Sequence, residues 1–355
     1  MSYIGENKYF SFRDGYCESK VPVSSTEASE LGRTIAPFFT RFCVGTSGFE
    51  RLPILYALCC GISECGKDVY VCENTDMPSF RFSFPLLSAD CGIFISGDSE
   101  IRLSFFDKSG FFMPESKLKE IMNSEPHTPS GRSGRISSLT SFRNIYINNI
   151  ADSLGKNRRP IKAGISCGNK AVRSVWLEFF TGESSELVFQ ISDDGQRVNA
   201  YSSETGFISY EKLMLAYCLD KTEKGNTVWI PDNFHYMADY INPDRIRRFS
   251  TETGIPENAK NTRFLCDSLY MCSNIAENLI ETVRKLPEIA SAKREITLAD
   301  TEKIPSRQTV ADKKGRVIIT KSGRNRISLL AQSLSAETAS ELCAIWAEKF
   351  RRHNL

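Results

Sequence analysis

The sequence predicts an α/β protein of several domains, with consecutive units in which helices cover a parallel sheet and a C-terminal α+β unit. The chain has 355 residues, of which 41% are hydrophobic and 25% are charged. This composition is typical of a globular protein. The length is sufficient for about two to four domains, each with its own hydrophobic core. Apolar strand-like runs alternate with helical stretches along most of the chain, which is typical of parallel sheets with covering helices.

The first unit, predicted for residues 1–122, shows the alternation most clearly. A helical stretch over residues 27–41 leads into the strand FCVGTSG, and a helix with Pro53 in its first turn leads into the strand KDVYVCE. A further helical stretch, which Pro85 must kink or end, leads into the strand DCGIFISG. The three strands are therefore expected in one parallel sheet.

The rest of the chain is predicted to form three more domains. A Ser/Pro/Gly-rich stretch, residues 123–138, is typical of a linker. A second α/β unit is predicted for residues 139–224 and a shortened third unit for 225–290. The C-terminal unit, 291–355, contains three strand-like runs and then a helix that Ser335 is expected to cap.

Charge and hydrophobicity argue against nucleic acid and membranes as partners. The 45 basic and 43 acidic residues give a formal net charge of +2, so no long-range field attracts the chain to a polyanion. No apolar run approaches the roughly 18 residues of a membrane span, and no signal peptide is recognisable. We therefore expect a cytoplasmic protein. Its 12 cysteines include no CxxC pair, and its 3 histidines are scattered, so no zinc site is predicted.

Four segments, residues 88–110, 185–209, 267–296 and 315–343, carry a resemblance by their order and spacing. They are similar to the phosphoserine segment, the metal loop, the end of the sugar-binding domain and the phosphate loop of the α-D-phosphohexomutase superfamily. That superfamily includes phosphomannomutase, phosphoglucomutase and phosphoglucosamine mutase. The resemblance implies consecutive α/β/α domains around a central cleft plus a C-terminal α+β domain. It also implies phosphoryl transfer from a phosphoserine to a sugar phosphate, helped by a divalent metal.

The candidate nucleophile departs from the family pattern. In GIFISGDSE, aligning Gly92 with the family's glycine places Asp98 at the phosphoserine position and Ser99 one residue later. An aspartate there either forms an acyl phosphate, as carboxylate nucleophiles do, or only imitates the charge of a phosphoserine.

The candidate metal loop is also altered. The family motif D-x-D-x-D-R corresponds to residues 192–197, where only Asp194 and Arg197 match, while Ser192 and Gln196 replace the first and third carboxylates. Arg197 is the basic residue that the resemblance assigns to catalysis. Because Mg²⁺ prefers anionic oxygen ligands, we expect no tight metal binding and no cofactor. A plain turn between two strands is the other interpretation of SDDGQR.

Two further segments bear on ligand binding. The sugar-recognition motif of the family, G-E-x-S-G-H, has no counterpart in this chain. The last loop keeps Ser322 and Gly323 of the family's phosphate motif and adds the cations Lys321, Arg324 and Arg326. A hydroxyl, exposed backbone N–H groups and cations together suit a phosphate. A solvated hairpin is the alternative.

The sequence therefore predicts a degenerate phosphohexomutase homologue that lacks efficient phosphoryl transfer. Its expected role is regulatory, through binding of a phosphorylated sugar or a protein partner. The alternative is an active isomerase of the phosphomannomutase or phosphoglucomutase type in carbohydrate metabolism, with Mg²⁺ as its cofactor and Asp98 or Ser99 as the phosphoryl acceptor.

Overall fold

A computed structural model describes the fold over most of the chain, namely residues 10–13, 16–19, 23–97, 101–139, 142–155, 160–250, 255–256, 258–299, 304–305, 307–323 and 325–353. The chain divides into two compact units. The first unit comprises Met1–Ser203, Thr251–Glu257 and Arg263–Asn274, and the second comprises Glu204–Ser250, Asn258–Thr262 and Ile275–Leu355. The finer division into four domains stays a prediction.

Strands and helices alternate through the chain, as the sequence predicts. The strands are β1 (Phe10–Arg13), β2 (Tyr16–Ser19), β3 (Arg41–Thr46), β4 (Asp68–Cys72), β5 (Cys91–Ser96), β6 (Arg102–Asp107), β7 (Ile136–Ser138), β8 (Ile161–Ser166), β9 (Phe180–Gly182), β10 (Leu187–Ile191), β11 (Val198–Ser202), β12 (Gly206–Ile208), β13 (Val228–Pro231), β14 (Ile246–Phe249), β15 (Ala290–Thr297), β16 (Arg307–Asp312), β17 (Gly315–Gly323) and β18 (Arg326–Ser333). The helices are α1 (Ser25–Ile35), α2 (Leu52–Glu64), α3 (Met77–Leu86), α4 (Glu115–Met122), α5 (Phe142–Leu154), α6 (Lys170–Trp176), α7 (Tyr210–Glu223), α8 (Ala238–Ile241), α9 (Ser268–Ile275), α10 (Leu279–Lys285) and α11 (Ala336–His353). None of these helices, taken over the described residues, is long and apolar enough to cross a membrane.

A seven-stranded sheet in the order β1-β2-β6-β5-β3-β4-β7 forms the centre of the first unit. Strand β3 pairs in parallel with both β4 and β5, whereas β6 is antiparallel to β5. Helix α2 connects β3 to β4, and α3 connects β4 to β5. The two helices contribute to separate core clusters, which contain alternate residues of β3 and β5. The connections thus leave the sheet on opposite faces, and β3 and β5 flank a topological switch point.

Helix α3 packs directly on the sheet because two strand residues lack a side chain. A Cβ atom added to Gly45 of β3 would lie 2.5 Å from the ring of Phe80, and one added to Gly92 of β5 would lie 3.0 Å from the ring of Phe84. The helix begins at the N-cap Asp76, whose carboxylate accepts a 2.9 Å hydrogen bond from the backbone N–H of Ser79. These contacts fix both the depth and the starting point of α3.

The Ser/Pro/Gly-rich stretch 123–138 is not a free linker. The backbone N–H groups of Ser130 and Gly134 donate to the carbonyl oxygens of Glu64 and Ser63 at the end of α2, both at 2.8 Å. The last three residues of the stretch form β7, which pairs in parallel with β4. The stretch therefore completes the first sheet at its edge.

A second sheet of the first unit contains β11-β10-β8-β9 in that order. Strands β8 and β10 are parallel, and β10 and β11 form an antiparallel hairpin. The rings of Trp176, Phe180 and Phe189 pack together beneath it, with centroids 5.1 to 5.6 Å apart. The turn of this hairpin is the predicted metal loop, residues 192–197.

The second unit contains the parallel pair β13 and β14 and an antiparallel sheet in the order β15-β18-β17-β16. Helix α11 covers the antiparallel sheet and buries residues such as Ile319, Leu329 and Leu342. His235, after β13, is 3% exposed, and its Nδ1 accepts a 3.3 Å hydrogen bond from the backbone N–H of Met237. Burial lowers the pKa of His235 from its usual 6.5 to about 4.

The buried His235 should make the protein sensitive to acid. Between pH 6.5 and about 4 the unfolded chain binds a proton that the folded imidazole excludes, so the free energy of unfolding falls as the pH falls. Protonation of His235 in the unfolded chain is expected to lower the free energy of unfolding by about 3 kcal/mol across this pH range. We expect His235→Asn to lose less stability than the unmodified protein when urea unfolding at pH 7.5 is compared with unfolding at pH 4.5.

The control for this prediction is His127→Asn, since His127 is exposed. This variant should lose as much stability on acidification as the unmodified protein. Equal acid sensitivity in all three proteins would contradict the prediction.

Candidate functional site

The carboxyl edge of the first sheet brings three loops together. The carbonyl oxygen of Thr46, at the end of β3, accepts a 2.9 Å hydrogen bond from the backbone N–H of Thr75, in the loop after β4. The buried hydroxyl of Thr46 donates to the carbonyl oxygen of Ile95 in β5 at 3.1 Å. The Nε of Arg51 donates to the carbonyl oxygen of Gly97. Loops after all three parallel strands are therefore tied together at the switch point, where open α/β sheets bind ligands.

Arg51 is a residue of this edge that belongs to none of the motifs recognised in the sequence. Its side chain is only 11% exposed and pairs with the carboxylate of Glu50 at 2.8 Å. Gly97, which it holds, is the residue just before the candidate nucleophile. Asp98 and Ser99 themselves lie outside the described residues, so their roles remain predictions.

The loop 192–197 is a tight turn between β10 and β11. The backbone N–H of Ser192 donates to the carbonyl oxygen of Arg197 at 2.9 Å, and the N–H of Gly195 donates to the carbonyl oxygen of Ser192 at 2.8 Å. Gly195 has a φ of +75°, the left-handed conformation that glycine adopts most easily. The turn read from SDDGQR is thus present.

Within this turn the carboxylate of Asp194 accepts three hydrogen bonds from its neighbours. Its Oδ1 accepts from the hydroxyl of Ser192 at 2.5 Å and from the backbone N–H of Gln196 at 3.0 Å. Its Oδ2 accepts from the Nε2 of Gln196 at 3.2 Å. The two residues that stand at the family's other carboxylate positions therefore act as donors to the one carboxylate that remains.

Arg81 of α3 extends this network. Its Nη1 donates to the Oε1 of Gln196 at 3.0 Å, and its Nε donates to the carbonyl oxygen of Gly110 at 2.7 Å. The guanidinium lies 4.8 Å from the ring centroid of Phe106 and 4.9 Å from that of Phe112, within the range of cation–π attraction. Arg81 is only 5% exposed. The turn is thus anchored to a helix of the first sheet by a buried cation.

A second anchor comes from the start of α9. The hydroxyl of Ser268 donates to the carbonyl oxygen of Gly195 at 2.6 Å. The preceding Asp267 is buried and accepts hydrogen bonds from the hydroxyl of Tyr146 and the Nε of Arg263, both at 2.7 Å. The turn is therefore held from two sides.

Asp267 also lies close to Asp76, the N-cap of α3. Burial raises the pKa of Asp76, and the negative charge of Asp267 adds to the effect.

The predicted phosphate loop lies in the second unit and is a hairpin between β17 and β18. Lys321 and Gly323 end β17 with an irregular register, and Gly323 pairs with Arg326 at the start of β18. The backbone N–H of Leu298 donates to the carbonyl oxygen of the turn residue Asn325 at 2.8 Å. Arg324 and the side chain of Ser322 lie outside the described residues, and Arg326 is exposed.

Comparison with known structures identifies the fold. A phosphoglucomutase/phosphomannomutase family protein from Burkholderia thailandensis superposes with a TM-score of 0.66 at 13% sequence identity, over 94% of this chain and 93% of that one. The phosphoglucomutase pp63/parafusin from Paramecium gives a TM-score of 0.55 at 10% identity, over 92% of this chain and 91% of that one. The fold is that of the phosphohexomutases.

Sequence comparison agrees with this phosphohexomutase fold. No family model matches the sequence. A phosphoglucosamine mutase from Arthrobacter sp. (strain FB24) is 26% identical over 173 residues, and one from Caldicellulosiruptor bescii is 25% identical over 163 residues. These alignments cover 46% and 42% of this chain but only 38% and 36% of the two relatives. The resemblance to the phosphohexomutase superfamily and the predicted fold class are confirmed.

The phosphohexomutase fold raises the question of a metal. The N-acetylphosphoglucosamine mutase of Aspergillus fumigatus, with a TM-score of 0.50 and 9% identity over 79% of this chain and 92% of that one, was crystallised with GlcNAc-6P and magnesium. In the present chain the hydroxyl of Ser192 and the amide of Gln196 direct hydrogens at Asp194. The described residues contain no group of three His, Cys, Asp or Glu side chains that could hold a metal ion. This donor set does not fit Mg²⁺, which binds oxygen lone pairs.

Arg197, the other matching residue of the motif, contributes to the turn through its backbone. Its N–H donates to the hydroxyl of Ser192 at 3.0 Å, and its side chain is exposed. The predicted catalytic role of its guanidinium stays a prediction.

Magnesium should leave the thermal stability of the unmodified protein unchanged. A ligand raises the melting temperature only if it binds the folded state preferentially, and the only carboxylate at a matching position of this turn accepts three hydrogen bonds from the protein. We expect equal melting temperatures in millimolar MgCl₂ and in EDTA. A clear rise in MgCl₂ that disappears in Asp194→Ala would contradict this.

Proposed function

We propose that this chain is a non-catalytic phosphohexomutase homologue that binds a phosphorylated sugar in a regulatory role. One observation carries the proposal: Asp194, the carboxylate at the matching motif position of the turn 192–197, accepts hydrogen bonds from Ser192, from the amide of Gln196 and from the backbone. Phosphoryl transfer depends on positive charge that stabilises the anionic transition state, and divalent ions supply much of it. Because the turn does not present metal ligands, we infer that the chain binds its ligand without efficient phosphoryl transfer.

Ligand binding is supported by what the chain retains. The phosphohexomutase fold covers almost all of it, and the carboxyl edge of the first sheet is held in place by Arg51 and Thr46. Lys321 and Arg326 lie at one hairpin, and Arg324 lies between them in sequence. Cations beside exposed backbone N–H groups form a suitable site for a phosphate dianion.

An active phosphohexomutase is the second candidate, and the similarity to phosphoglucosamine mutases favours it. In that case Asp98 would accept the phosphoryl group as an acyl phosphate, or Ser99 would take its place. Either route would have to stabilise the transferring charge without the usual carboxylates.

The purified protein should not interconvert hexose 1-phosphates and 6-phosphates in the presence of Mg²⁺ and a hexose bisphosphate. The expected reason is the combined replacement of two metal carboxylates by Ser192 and Gln196 and of the nucleophile by Asp98. A coupled assay measures the turnover. A rate near about 10 s⁻¹, the median for enzymes, that is abolished by Asp98→Asn would establish the active alternative. A trace activity that survives Asp98→Asn would come from a contaminating enzyme.

Hexose phosphates should bind to the protein, whereas the unphosphorylated sugars should not. A charge-assisted hydrogen bond contributes about 1.5 to 3 kcal/mol, so loss of one cation from the β17–β18 hairpin should weaken binding about tenfold or more. We expect this effect for Arg324→Ala and for Arg326→Ala in calorimetric titrations.

The matched control is Arg351→Ala, which removes an exposed arginine near the end of α11. It should leave the affinity unchanged. If phosphorylated and unphosphorylated sugars bind equally, or neither binds, phosphosugar recognition is wrong and a protein partner becomes the better explanation.

A further inference from the structure

Arg81 is a buried cation that contacts only neutral groups in the described part of the chain. Its hydrogen bonds go to the carbonyl oxygen of Gly110 and the amide oxygen of Gln196, and aromatic rings cover its guanidinium. A guanidinium does not deprotonate in proteins, and an unpaired buried charge is costly. Within the described part of the chain, the fold therefore keeps a cation without a direct carboxylate partner beside the turn 192–197.

The amide of Gln196 connects this cation to the only carboxylate of the turn at a matching motif position. Its oxygen accepts from Arg81 at 3.0 Å, and its nitrogen donates to Asp194 at 3.2 Å. This is the amide orientation that satisfies both neighbours, because Arg81 is only a donor and an ionised Asp194 only an acceptor. The amide dipole thus points its positive end at the carboxylate and its negative end at the guanidinium.

We propose that Arg81 is the built-in cation of this turn and does the work that a bound divalent metal does in a metal-dependent relative. It neutralises the turn through Gln196 and holds it in one conformation, so that no metal is needed to order it. The inference rests on the contacts of the turn and goes beyond the proposed binding of a phosphosugar.

A consequence is that restoring the carboxylates would not by itself restore metal binding. A carboxylate introduced by Gln196→Asp would lie beside Arg81, and an ion pair at such a partly buried position is favourable. A divalent cation would then have to compete with a guanidinium that is already in place, and the two cations would repel each other.

The decisive comparison is between Ser192→Asp/Gln196→Asp and the same pair combined with Arg81→Met. Thermal unfolding in MgCl₂ and in EDTA, together with calorimetric titration of MgCl₂, measures binding. We expect no effect of Mg²⁺ on the first protein. In the second protein we expect a rise in melting temperature and an affinity at least tenfold higher.

Two outcomes of this comparison would overturn the proposal. If both proteins bind Mg²⁺ equally, Arg81 does not occupy the place of the metal. If the variant with Arg81→Met folds but ignores Mg²⁺, Arg81 is not what excludes the ion. Neither readout involves a sugar phosphate, so failure here is distinct from failure of the proposed function.

A thermodynamic cycle tests the same contact without engineered carboxylates, in case a combined variant does not fold. The unmodified protein, Arg81→Met, Gln196→Leu and the double variant are compared by urea unfolding. The double variant should lose clearly less stability than the sum of the two single losses. Arg173→Met, at an exposed position of α6, is the control and should add independently to Gln196→Leu. Strict additivity for Arg81 and Gln196 would also contradict the proposal.

Discussion

The depth at which α3 lies on the first sheet sets where Arg81 meets the turn 192–197. Phe80 occupies the space that a side chain on Gly45 would need, and Phe84 does the same above Gly92. Packed interiors have little free volume, so the helix has no room to rise or slide without opening a void. Arg81, one residue after Phe80, is therefore held at a fixed distance above the first sheet. The two missing Cβ atoms in the strands therefore decide where Arg81 meets Gln196, which lies 115 positions further along the chain.

The turn 192–197 builds a polar network around the carboxylate of Asp194. Three carboxylates around an absent cation would repel one another and remain unsatisfied. In this turn the hydroxyl of Ser192 and the amide of Gln196 are donors, and both donate to the carboxylate of Asp194. The outcome is a polar network in which each described partner is satisfied, and such networks favour one conformation.

Local patterns were sufficient to predict much of the architecture. The apolar runs at β3, β4 and β5 and the Asp-Gly turn depend on nearest neighbours, and they appear where the sequence places them. Strand β16 is not one of the three strand-like runs predicted in the C-terminal unit, because RQTVAD is mostly polar and its apolar residues alternate weakly. The apolar spacing over residues 265–286 by itself predicts one helix, whereas the structure forms α9 and α10 there. The contact of Arg81 with Gln196 spans 115 positions, and no pattern within one element reveals such a pairing.

Strand β7 has a consequence for the behaviour of the chain in solution. It is only three residues long, two of them serines, and it pairs with the outer edge of β4, a strand that contains two valines. Short polar edge strands prevent sheets from pairing with the sheets of other molecules. The Ser/Pro/Gly-rich segment 123–138, whose composition is typical of a linker, thus covers a strand edge that could otherwise pair with another molecule. Shortening it between residues 123 and 138 would uncover an apolar strand edge and expose the protein to self-association through its backbone.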